Sequence, residues 1–256
     1  MASDRIAVTA DRIASITLDR PDRMNALTPS MLDALADAID RLGDDESVRA
    51  ITITGAGETF CAGADVTTLI RDADAGTAMA LSRRGQDAFA ALETCPTPVV
   101  AGIDGVALGG GMELAAAADL RIATPDATFG QPEIDLGVIP CWGGTQRLSH
   151  LVGEGRASEI VLTGDRYAAE EMAEYGFLTA VVEDLETALD TWAERIGRGP
   201  PLAQAAAKRA LLAGRGETTA GLDVETEAFG RLVTTDDARE GVEAFLNDDD
   251  PQFEGR

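Results

Sequence analysis

Two glutamates and two glycine-bearing turns are the residues of this 256-residue sequence whose types and spacing could do chemistry. One turn spans residues 55–65, and the other, residues 104–114, has a Gly-Gly-Gly run shortly before Glu113. Glu113 and Glu133 both lie among uncharged residues, whereas most of the 45 acidic residues fall in polar runs. Two carboxyls near one reacting carbon repel each other, so one of them tends to keep its proton at neutral pH. Such a pair supplies one general acid and one general base.

The two turns are candidates for binding a carbonyl oxygen. Each follows a segment with strand character and leads toward a helix, and ligands of open α/β sheets bind beyond the carboxyl ends of strands. Glycine lets backbone N–H groups approach a ligand without obstruction by a Cβ atom, and a helix N-terminus attracts negative charge. If each turn donates one N–H, the two form an oxyanion hole, and together with the acid/base pair they suit chemistry through an enolate.

Other interpretations of the same residues stay open at this point. Glycine-rich turns more often serve tight packing, and either glutamate could be a surface residue or the partner of an arginine. Neither turn has the lysine of a P-loop, and neither has the spacing and distant acidic residue of a dinucleotide-binding turn. Nucleotide binding is therefore disfavoured.

The turns need strands and helices to hold them, and the sequence pattern predicts an α/β fold with mainly parallel pairing. Residues 5–18 alternate in hydropathy, which predicts two short antiparallel strands. Thr28 followed by Pro29 predicts the start of a helix, with a hydroxyl N-cap and proline at the first helical position. The remaining predictions are strands at 50–54, 97–103 and about 120–123, and a helix at about 78–92.

The character of the chain changes at about residue 184. Beyond it, the pattern predicts helices with no strand between them, at 185–197, 202–213, 219–233 and 236–247. Residues 197–201 contain two glycines and two prolines and are predicted to form a hinge. We therefore expect two regions, an α/β core over residues 1–196 that contains the active site and a helical region over residues 197–256.

The formal net charge of −24 excludes several classes of partner. Nucleic acid binding depends on Lys and Arg, and an anionic membrane surface would be repelled, so neither partner is expected. Lys208 is the only lysine, and the other 20 basic residues are arginine. So much acid with so little lysine indicates a surface adapted to high salt, where mutual repulsion is screened within a few Å.

Cysteine and histidine usage predicts a cytoplasmic protein without a metal site. Cys61, Cys95 and Cys141 are few and scattered and form no C-x-x-C pair, so we expect reduced thiols. His150 is the only histidine and has no cluster of ligands around it, so we expect it at a helix end or on the surface. No apolar run reaches the 18 residues of a membrane span, and no signal pattern is present.

Several stretches, taken together and in this order, resemble the enoyl-CoA hydratase/isomerase (crotonase) family over nearly the whole chain. They are residues 18–27, 60–65, 107–119, 129–133, 136–148 and 240–246. The resemblance implies a crotonase-like spiral of β-β-α units followed by an all-helical C-terminal region used in trimer contacts. A homotrimer or a dimer of trimers is therefore expected.

The resemblance also assigns roles to individual residues. It implies that the backbone N–H groups of Ala64 and Gly110 hold the thioester oxygen of the substrate. Glu113 would activate water for attack at Cβ, and Glu133 would deliver a proton to Cα. Residues expected to contact coenzyme A are Ala62, Ala64, Asp65, Val66, Thr67, Gly110 and Arg23. Coenzyme A is part of the substrate, so no separate cofactor is expected.

The resulting hypothesis is reversible syn addition of water to a trans-2-enoyl-CoA, giving a 3-hydroxyacyl-CoA, as in fatty acid β-oxidation. The alternatives are an enoyl-CoA isomerase, a hydroxyacyl-CoA dehydratase of a dedicated pathway, and a non-catalytic or RNA-binding family member. The net charge disfavours the RNA-binding alternative.

Two departures from the family pattern bear on substrate binding. Cys141 stands where relatives usually have glycine, so it either alters the placement of water or of the acyl chain or is a tolerated small residue. Residues 247–250 are Asn-Asp-Asp-Asp where relatives commonly have a basic residue, which weakens the case for a contact from this tail to the phosphates. Because coenzyme A is anionic, we expect Glu113 and Glu133 to be the acids away from the surface and the others to be solvated.

Overall fold

The computed structural model describes residues 5–66 and 74–256, which form two sheets and nine α-helices. The strands are β1 (Ile6–Thr9), β2 (Ile13–Leu18), β3 (Ala50–Gly55), β4 (Val99–Ile103), β5 (Val106–Leu108), β6 (Leu120–Ala123), β7 (Thr128–Gly130), β8 (Arg166–Ala168) and β9 (Ala180–Val181). The helices are α1 (Pro29–Gly43), α2 (Ala75–Thr94), α3 (Gly110–Ala117), α4 (Gly144–Thr163), α5 (Ala169–Glu174), α6 (Leu185–Gly197), α7 (Pro201–Gly214), α8 (Thr218–Leu232) and α9 (Asp236–Asn247). In the described ranges, no helix has both the length and the apolar character that crossing a bilayer requires.

The larger sheet has the strand order β1-β2-β3-β4-β6-β9. Strands β1 and β2 pair antiparallel, and every other neighbouring pair of this sheet is parallel. All five residues of β4 are buried, as expected for the middle of a sheet covered on both faces, whereas the residues of β2 alternate in burial. The predicted N-terminal strand pair and the predicted strands at positions 50, 97 and 120 are thereby confirmed, with β4 beginning at Val99 because Pro98 precedes it.

A smaller sheet of order β5-β7-β8 lies beside the first. Strand β4 belongs to the larger sheet, and β5, which follows it directly, belongs to the smaller one; the chain then enters α3. In the same way, β6 belongs to the larger sheet and β7 to the smaller one. This succession of two strands and a helix is the β-β-α spiral that the family resemblance implies. Strands β5, β7 and β8 were not predicted, because three residues are too few to show an alternating pattern.

Side-chain caps set the starts of the two long helices in the first half of the chain. The Thr28 hydroxyl accepts a hydrogen bond from the Met31 N–H at 3.3 Å, and Pro29 occupies the first helical position of α1, as predicted. Helix α2 begins earlier than the predicted position 78, because Asp74 caps it by accepting from the Thr77 N–H at 2.7 Å.

The predicted C-terminal helices are confirmed as α6 to α9, and no strand occurs in the described residues after β9. Helix α6 covers the larger sheet, where Leu189 packs with Val100 of β4 and Ile122 of β6 in a small apolar cluster. Helices α7 and α8 pack against each other as an antiparallel pair joined by a short loop. The C-terminal helices thus follow the core directly, and α6 completes it.

The single lysine fastens α7 to the core. Lys208 Nζ donates to the carbonyl oxygen of Leu92 at 2.8 Å and forms an ion pair with Asp119 Oδ2 at 2.7 Å. Asp119 also accepts from the Val99 N–H at 2.8 Å, so its carboxylate links β4 to α7. The Lys208 side chain is buried, so this pair is shielded from solvent far more than a surface ion pair.

Candidate active site

The two glycine-bearing turns lie side by side. Cys61 forms a parallel bridge with Ala107, and the Cys61 carbonyl accepts from the Leu108 N–H at 3.1 Å. The approach is closest at Gly111, where a Cβ atom would lie 2.0 Å from the Cys61 carbonyl oxygen. Only glycine fits at this position, so the Gly-Gly-Gly run is required for the contact between the turns.

The two N–H groups expected to hold a carbonyl oxygen are neighbours. A Cβ atom on Gly110 would lie 3.4 Å from the Ala64 nitrogen, and Gly110 is the first residue of α3. Leu27 fixes the other turn, because its N–H donates to the Gly63 carbonyl at 2.8 Å and its carbonyl accepts from the Asp65 N–H at 2.9 Å. Within the described residues, neither the Ala64 N–H nor the Gly110 N–H donates a hydrogen bond, so both are available to a ligand.

Glu113 lies one turn into α3, and its side chain is buried, with a relative exposure of 1%. Its Oε1 atom accepts from the backbone N–H of Trp142 at 2.8 Å and from that of Gly144 at 2.7 Å. Both contacts go to Oε1, and no described residue donates a hydrogen bond to Oε2, which can therefore accept a proton. Burial raises the pKa of Glu113 to about 6, although the two N–H donors and the charge of Arg147 act in the opposite direction.

Glu133 lies on the other side of the triple glycine, on the 3₁₀ turn Pro132–Leu136, and is half-buried. A Cβ atom on Gly109 would lie 2.6 Å from Glu133 Oε1, so this carboxyl lies directly against the triple glycine, and the φ of +50° at Gly109 favours glycine there. Burial and the nearby charge of Glu113 raise the pKa of Glu133 to about 7. The amide of Gln131 is fully buried, and its nitrogen can donate to the two Glu133 oxygens at 3.2 and 3.0 Å.

The residues expected to contact coenzyme A are placed unequally. Ala62 is half-buried, Val66 is exposed, and Arg23 is exposed and makes no ion pair with any described residue. The Asp65 side chain is buried and forms an ion pair with Arg20 at 2.6 Å, so a ligand contact from Asp65 would come from its backbone. Thr67 lies outside the described residues.

The contacts that hold Glu113 in place were not predicted from the sequence. Trp142 and Gly144 bind it through backbone N–H groups, which no side-chain pattern reveals. The Trp142 ring is fully buried beneath the triple glycine, and a Cβ atom on Gly110 would lie 2.4 Å from it. Arg147 supports the same loop, donating to the Trp142 carbonyl at 2.6 Å. The available signal was the family-like segment 136–148, which contains all three residues.

A profile of the family described as enoyl-CoA hydratase/isomerase matches residues 9–256 of the chain. The chain belongs to the enoyl-CoA hydratase/isomerase family. It is 36% identical to the short-chain-enoyl-CoA hydratase of Clostridium acetobutylicum over 239 residues, which covers 92% of this chain and 91% of that relative. It is 38% identical to the crotonyl-CoA hydratase of Syntrophomonas wolfei over 240 residues, which covers 92% of each.

Solved structures of the family share the fold. A crystal structure of enoyl-CoA hydratase from Bacillus anthracis matches with a TM-score of 0.93 at 35% identity, covering 98% of this chain and 100% of that one. The family membership and this likeness confirm the α/β crotonase fold expected from the sequence, and they show that the protein is an enzyme of the enoyl-CoA hydratase/isomerase class.

One expectation about the acidic residues of this family member is wrong. Glu113 and Glu133 are not the only acids away from the surface, because Asp65 and Asp237 are buried too and Glu133 is only half-buried. Asp65 is compensated by Arg20, and Asp237 accepts hydrogen bonds from backbone N–H groups of the C-terminal segment. Polar partners make such burial tolerable, and sequence context alone does not reveal them.

The pKa values of the two glutamates predict a bell-shaped pH dependence for this enoyl-CoA hydratase/isomerase family member. If Glu113 is the base and Glu133 the acid, as the family resemblance implies, activity is lost below a pKa of about 6, where Glu113 takes up a proton, and above about 7, where Glu133 loses its proton. We expect kcat/KM for an enoyl-CoA substrate to be highest between these values and to fall on both sides. Because the two carboxyls interact, the apparent pKa of each limb of the pH profile belongs to the pair and not to one residue alone. A rate that stays constant from about pH 5 to about pH 9 would contradict this assignment.

Cys141 is predicted to be an unreactive thiol despite its exposure. Partial burial and the neighbouring charges of Glu113 and Glu133 raise its pKa to about 11, so the nucleophilic thiolate is scarce at neutral pH. Cys61 and Cys95 are buried. We expect iodoacetamide to label the folded protein at pH 8 at least about tenfold more slowly than free cysteine, as followed by intact mass. Labelling in urea is the control, and stoichiometric labelling of the folded protein at the rate of free cysteine would refute the prediction.

Proposed function

We propose that this protein catalyses the reversible syn addition of water to a trans-2-enoyl-CoA, giving a 3-hydroxyacyl-CoA. The observation that carries the proposal is the pair of carboxyls on either side of the triple glycine, Glu113 and Glu133, with pKa values raised to about 6 and about 7. At neutral pH, Glu113 is mostly ionised and Glu133 is partly protonated. One base and one acid are therefore available at the same site, as hydration requires.

In the proposed reaction, the thioester carbonyl oxygen would accept hydrogen bonds from the Ala64 and Gly110 N–H groups. These donors stabilise the negative charge that develops on the oxygen when Cβ is attacked, and the positive end of α3 adds to their effect. Oε2 of Glu113 would take a proton from water while the water oxygen forms a bond to Cβ. Glu133 would then give its proton to Cα of the enolate, which completes the addition.

Coenzyme A would be held mainly by backbone groups of residues 62–66 and by the guanidinium of Arg23. Arg23 ends the 3₁₀ turn Pro21–Arg23, and the Met24 carbonyl that follows it accepts from the Ala62 N–H at 2.9 Å. The exposed, uncommitted arginine therefore lies next to the proposed thioester site. It would supply a positive charge for the phosphates of coenzyme A. The acidic segment 247–250 has no basic residue that could do so.

Product analysis with two substrates tests the proposed reaction against its alternatives. A trans-2-enoyl-CoA should lose its conjugated absorbance and yield a 3-hydroxyacyl-CoA, and the 3-hydroxyacyl-CoA should return the same equilibrium mixture. A 3-enoyl-CoA should be converted much more slowly. Faster conversion of the 3-enoyl thioester to the 2-enoyl thioester would favour an isomerase, and no turnover of any of these thioesters would contradict the proposal.

We also propose a trimer or a dimer of trimers, assembled through the C-terminal helices. Large apolar side chains are exposed on α7 to α9 and at the end of α8 in a single chain, and such surfaces mark protein contacts. They are Leu202, Leu211, Leu222, Phe229, Val233, Val242, Phe245 and Leu246. Light scattering should give the mass of three or six chains, and Phe229→Glu or Phe245→Glu should lower it. A monomer at micromolar concentration would refute the assembly.

The acidic surface leads us to propose adaptation to high salt. With a net charge of −24, repulsion within the chain and toward anionic coenzyme A weakens when the Debye length falls to about 3 Å at 1 M salt. We expect both kcat/KM and the melting temperature to rise with KCl into the molar range. Full activity and stability in dilute buffer would contradict this proposal.

A further inference from the structure

Arg147 lies directly behind the loop that holds Glu113. Its Nη1 donates to the Trp142 carbonyl oxygen at 2.6 Å, and the N–H of the same Trp142 donates to Glu113 Oε1 at 2.8 Å. The backbone carbonyl and N–H of Trp142 therefore connect the Arg147 guanidinium to the Glu113 carboxylate. Gly143 makes this possible, because it has a φ of +110° and a Cβ atom there would lie 2.0 Å from Arg147 Nη1.

The guanidinium is itself fixed from the opposite side. Arg147 Nη2 donates to Glu93 Oε2 of α2 at 2.6 Å, and both side chains are largely buried. The second oxygen of Glu93 accepts from Arg215, which follows α7 in the C-terminal helices. Removal of either member of a buried charged pair leaves the other uncompensated, so this arrangement has little freedom to relax.

The charged groups around Glu113 influence the ionisation of its carboxyl. Among the residues that the structure describes, the titratable groups that face Glu113 are Arg147 of α4, Glu133 of the 3₁₀ turn and the Cys141 thiol of the intervening loop. Arg147 is the only cation among them and favours the ionised carboxylate, whereas Glu133 opposes it. Arg147 thus acts on Glu113 both through the loop backbone and through its charge.

We infer that Arg147 is a positioning residue for the reaction, with Glu93 and Arg215 as its supports. It holds the backbone of residues 142–144 so that Glu113 Oε1 stays fixed and Oε2 stays directed at the substrate. Because Arg215 belongs to the C-terminal helical region, the same contacts couple the order of that region to the active site. This inference rests on the proposed role of Glu113 as the base.

The test compares Arg147→Gln and Arg147→Lys with the wild type, using crotonyl-CoA hydration at several pH values. For Arg147→Gln we expect kcat to fall about ten- to a hundredfold, since small displacements of a catalytic group cost this much, with little change in KM. The acidic limb of the kcat profile should move to higher pH, because the cation that favours ionised Glu113 is gone. Arg147→Lys keeps the charge, so its acidic limb should stay close to that of the wild type while kcat is intermediate.

Two further variants keep the inference testable. Arg156→Gln removes an exposed arginine of the same helix that forms an ion pair with Glu159 and stacks on Tyr175, and it should leave kcat and the acidic limb unchanged. If Arg147→Gln does not fold, Glu93→Gln replaces it, and we expect its kcat to fall about threefold or more, again with KM unchanged. Circular dichroism and melting temperatures establish which variants are folded.

The outcomes separate this inference from the proposed function. A folded Arg147→Gln with wild-type kcat and an unmoved acidic limb would overturn the inference, as would a folded Glu93→Gln with wild-type kcat where Arg147→Gln is unfolded. If Glu113→Gln is inactive in the same assay, the proposed function stands even when the results for Arg147→Gln or Glu93→Gln overturn the inference. Wild-type hydration by Glu113→Gln would instead remove the proposed role of Glu113 and, with it, the basis of this inference.

Discussion

Glu113→Gln is expected to lower the rate of enoyl-CoA hydration at least about a hundredfold, and Glu133→Gln by a similar factor. Glutamine has the shape of glutamate, and its amide oxygen can still accept from the Trp142 and Gly144 N–H groups that hold position 113. It cannot take up a proton from water or donate one to Cα as a carboxylic acid does. The measurement is the loss of the conjugated thioester absorbance at saturating substrate near pH 6.5.

Glu154→Gln is the matched control for this pair. Glu154 lies exposed on α4, the helix that carries Arg147, and it forms no ion pair with any described residue. The control should retain the wild-type rate, which separates the loss of a catalytic carboxyl from the loss of one negative charge. Near-wild-type hydration by Glu113→Gln or by Glu133→Gln would show that the proposed roles are wrong.

Gly111→Ala is expected to have the largest effect on stability. The added Cβ atom would lie 2.0 Å from the backbone oxygen of Cys61 and 2.8 Å from its carbonyl carbon, so it cannot be accommodated by rotating a side chain. We expect a loss of about 3 kcal/mol or more in the free energy of unfolding, at the upper end of overpacking effects. Any folded fraction should have little activity, because α3 must move away from residues 61–64 and the Ala64 and Gly110 N–H groups separate.

The control for this substitution is Gly155→Ala in α4. Gly155 is exposed, and a Cβ atom there would meet nothing within 4 Å. Alanine is the better helix former, so the control should be neutral or more stable by up to about 1 kcal/mol. Thermal melts of both variants check the prediction, and a Gly111→Ala protein as stable as the wild type would contradict the close contact between the two turns.

Much of the fold was predictable because most of its long elements have strong local signals, although the 20-residue helix α4, which is interrupted by the non-helical Gly153, was not predicted. Thr28 and Pro29 mark the start of α1, and the apolar run at 97–103 marks the buried β4. The C-terminal helices have patterns long enough for the 3.6-residue period to emerge. The strands of the smaller sheet have only three residues each and are defined by their partners, so no local pattern could reveal them.

The residues of the candidate site were likewise predictable only in part. Glu113 and Glu133 stood out because they are acids among uncharged residues, and the family resemblance suggested Ala64 and Gly110. The support of Glu113 was not predictable, since it depends on contacts made only in the folded chain. Trp142 is 29 residues away from Glu113 in sequence, and Glu93 is 54 residues away from Arg147. The local sequence at either end gives no indication of these pairings.

The burial of Lys208 has a practical consequence for solution work on this protein. Lys208 is the only lysine, and its ammonium group is enclosed by Asp119 and the Leu92 carbonyl, so the folded surface presents no lysine amine to a reagent. Glutaraldehyde and succinimide esters react with free amines and would find almost none here. A cross-linking experiment with these reagents would show single chains on a gel whatever the assembly, so the oligomeric state has to be measured by mass in solution.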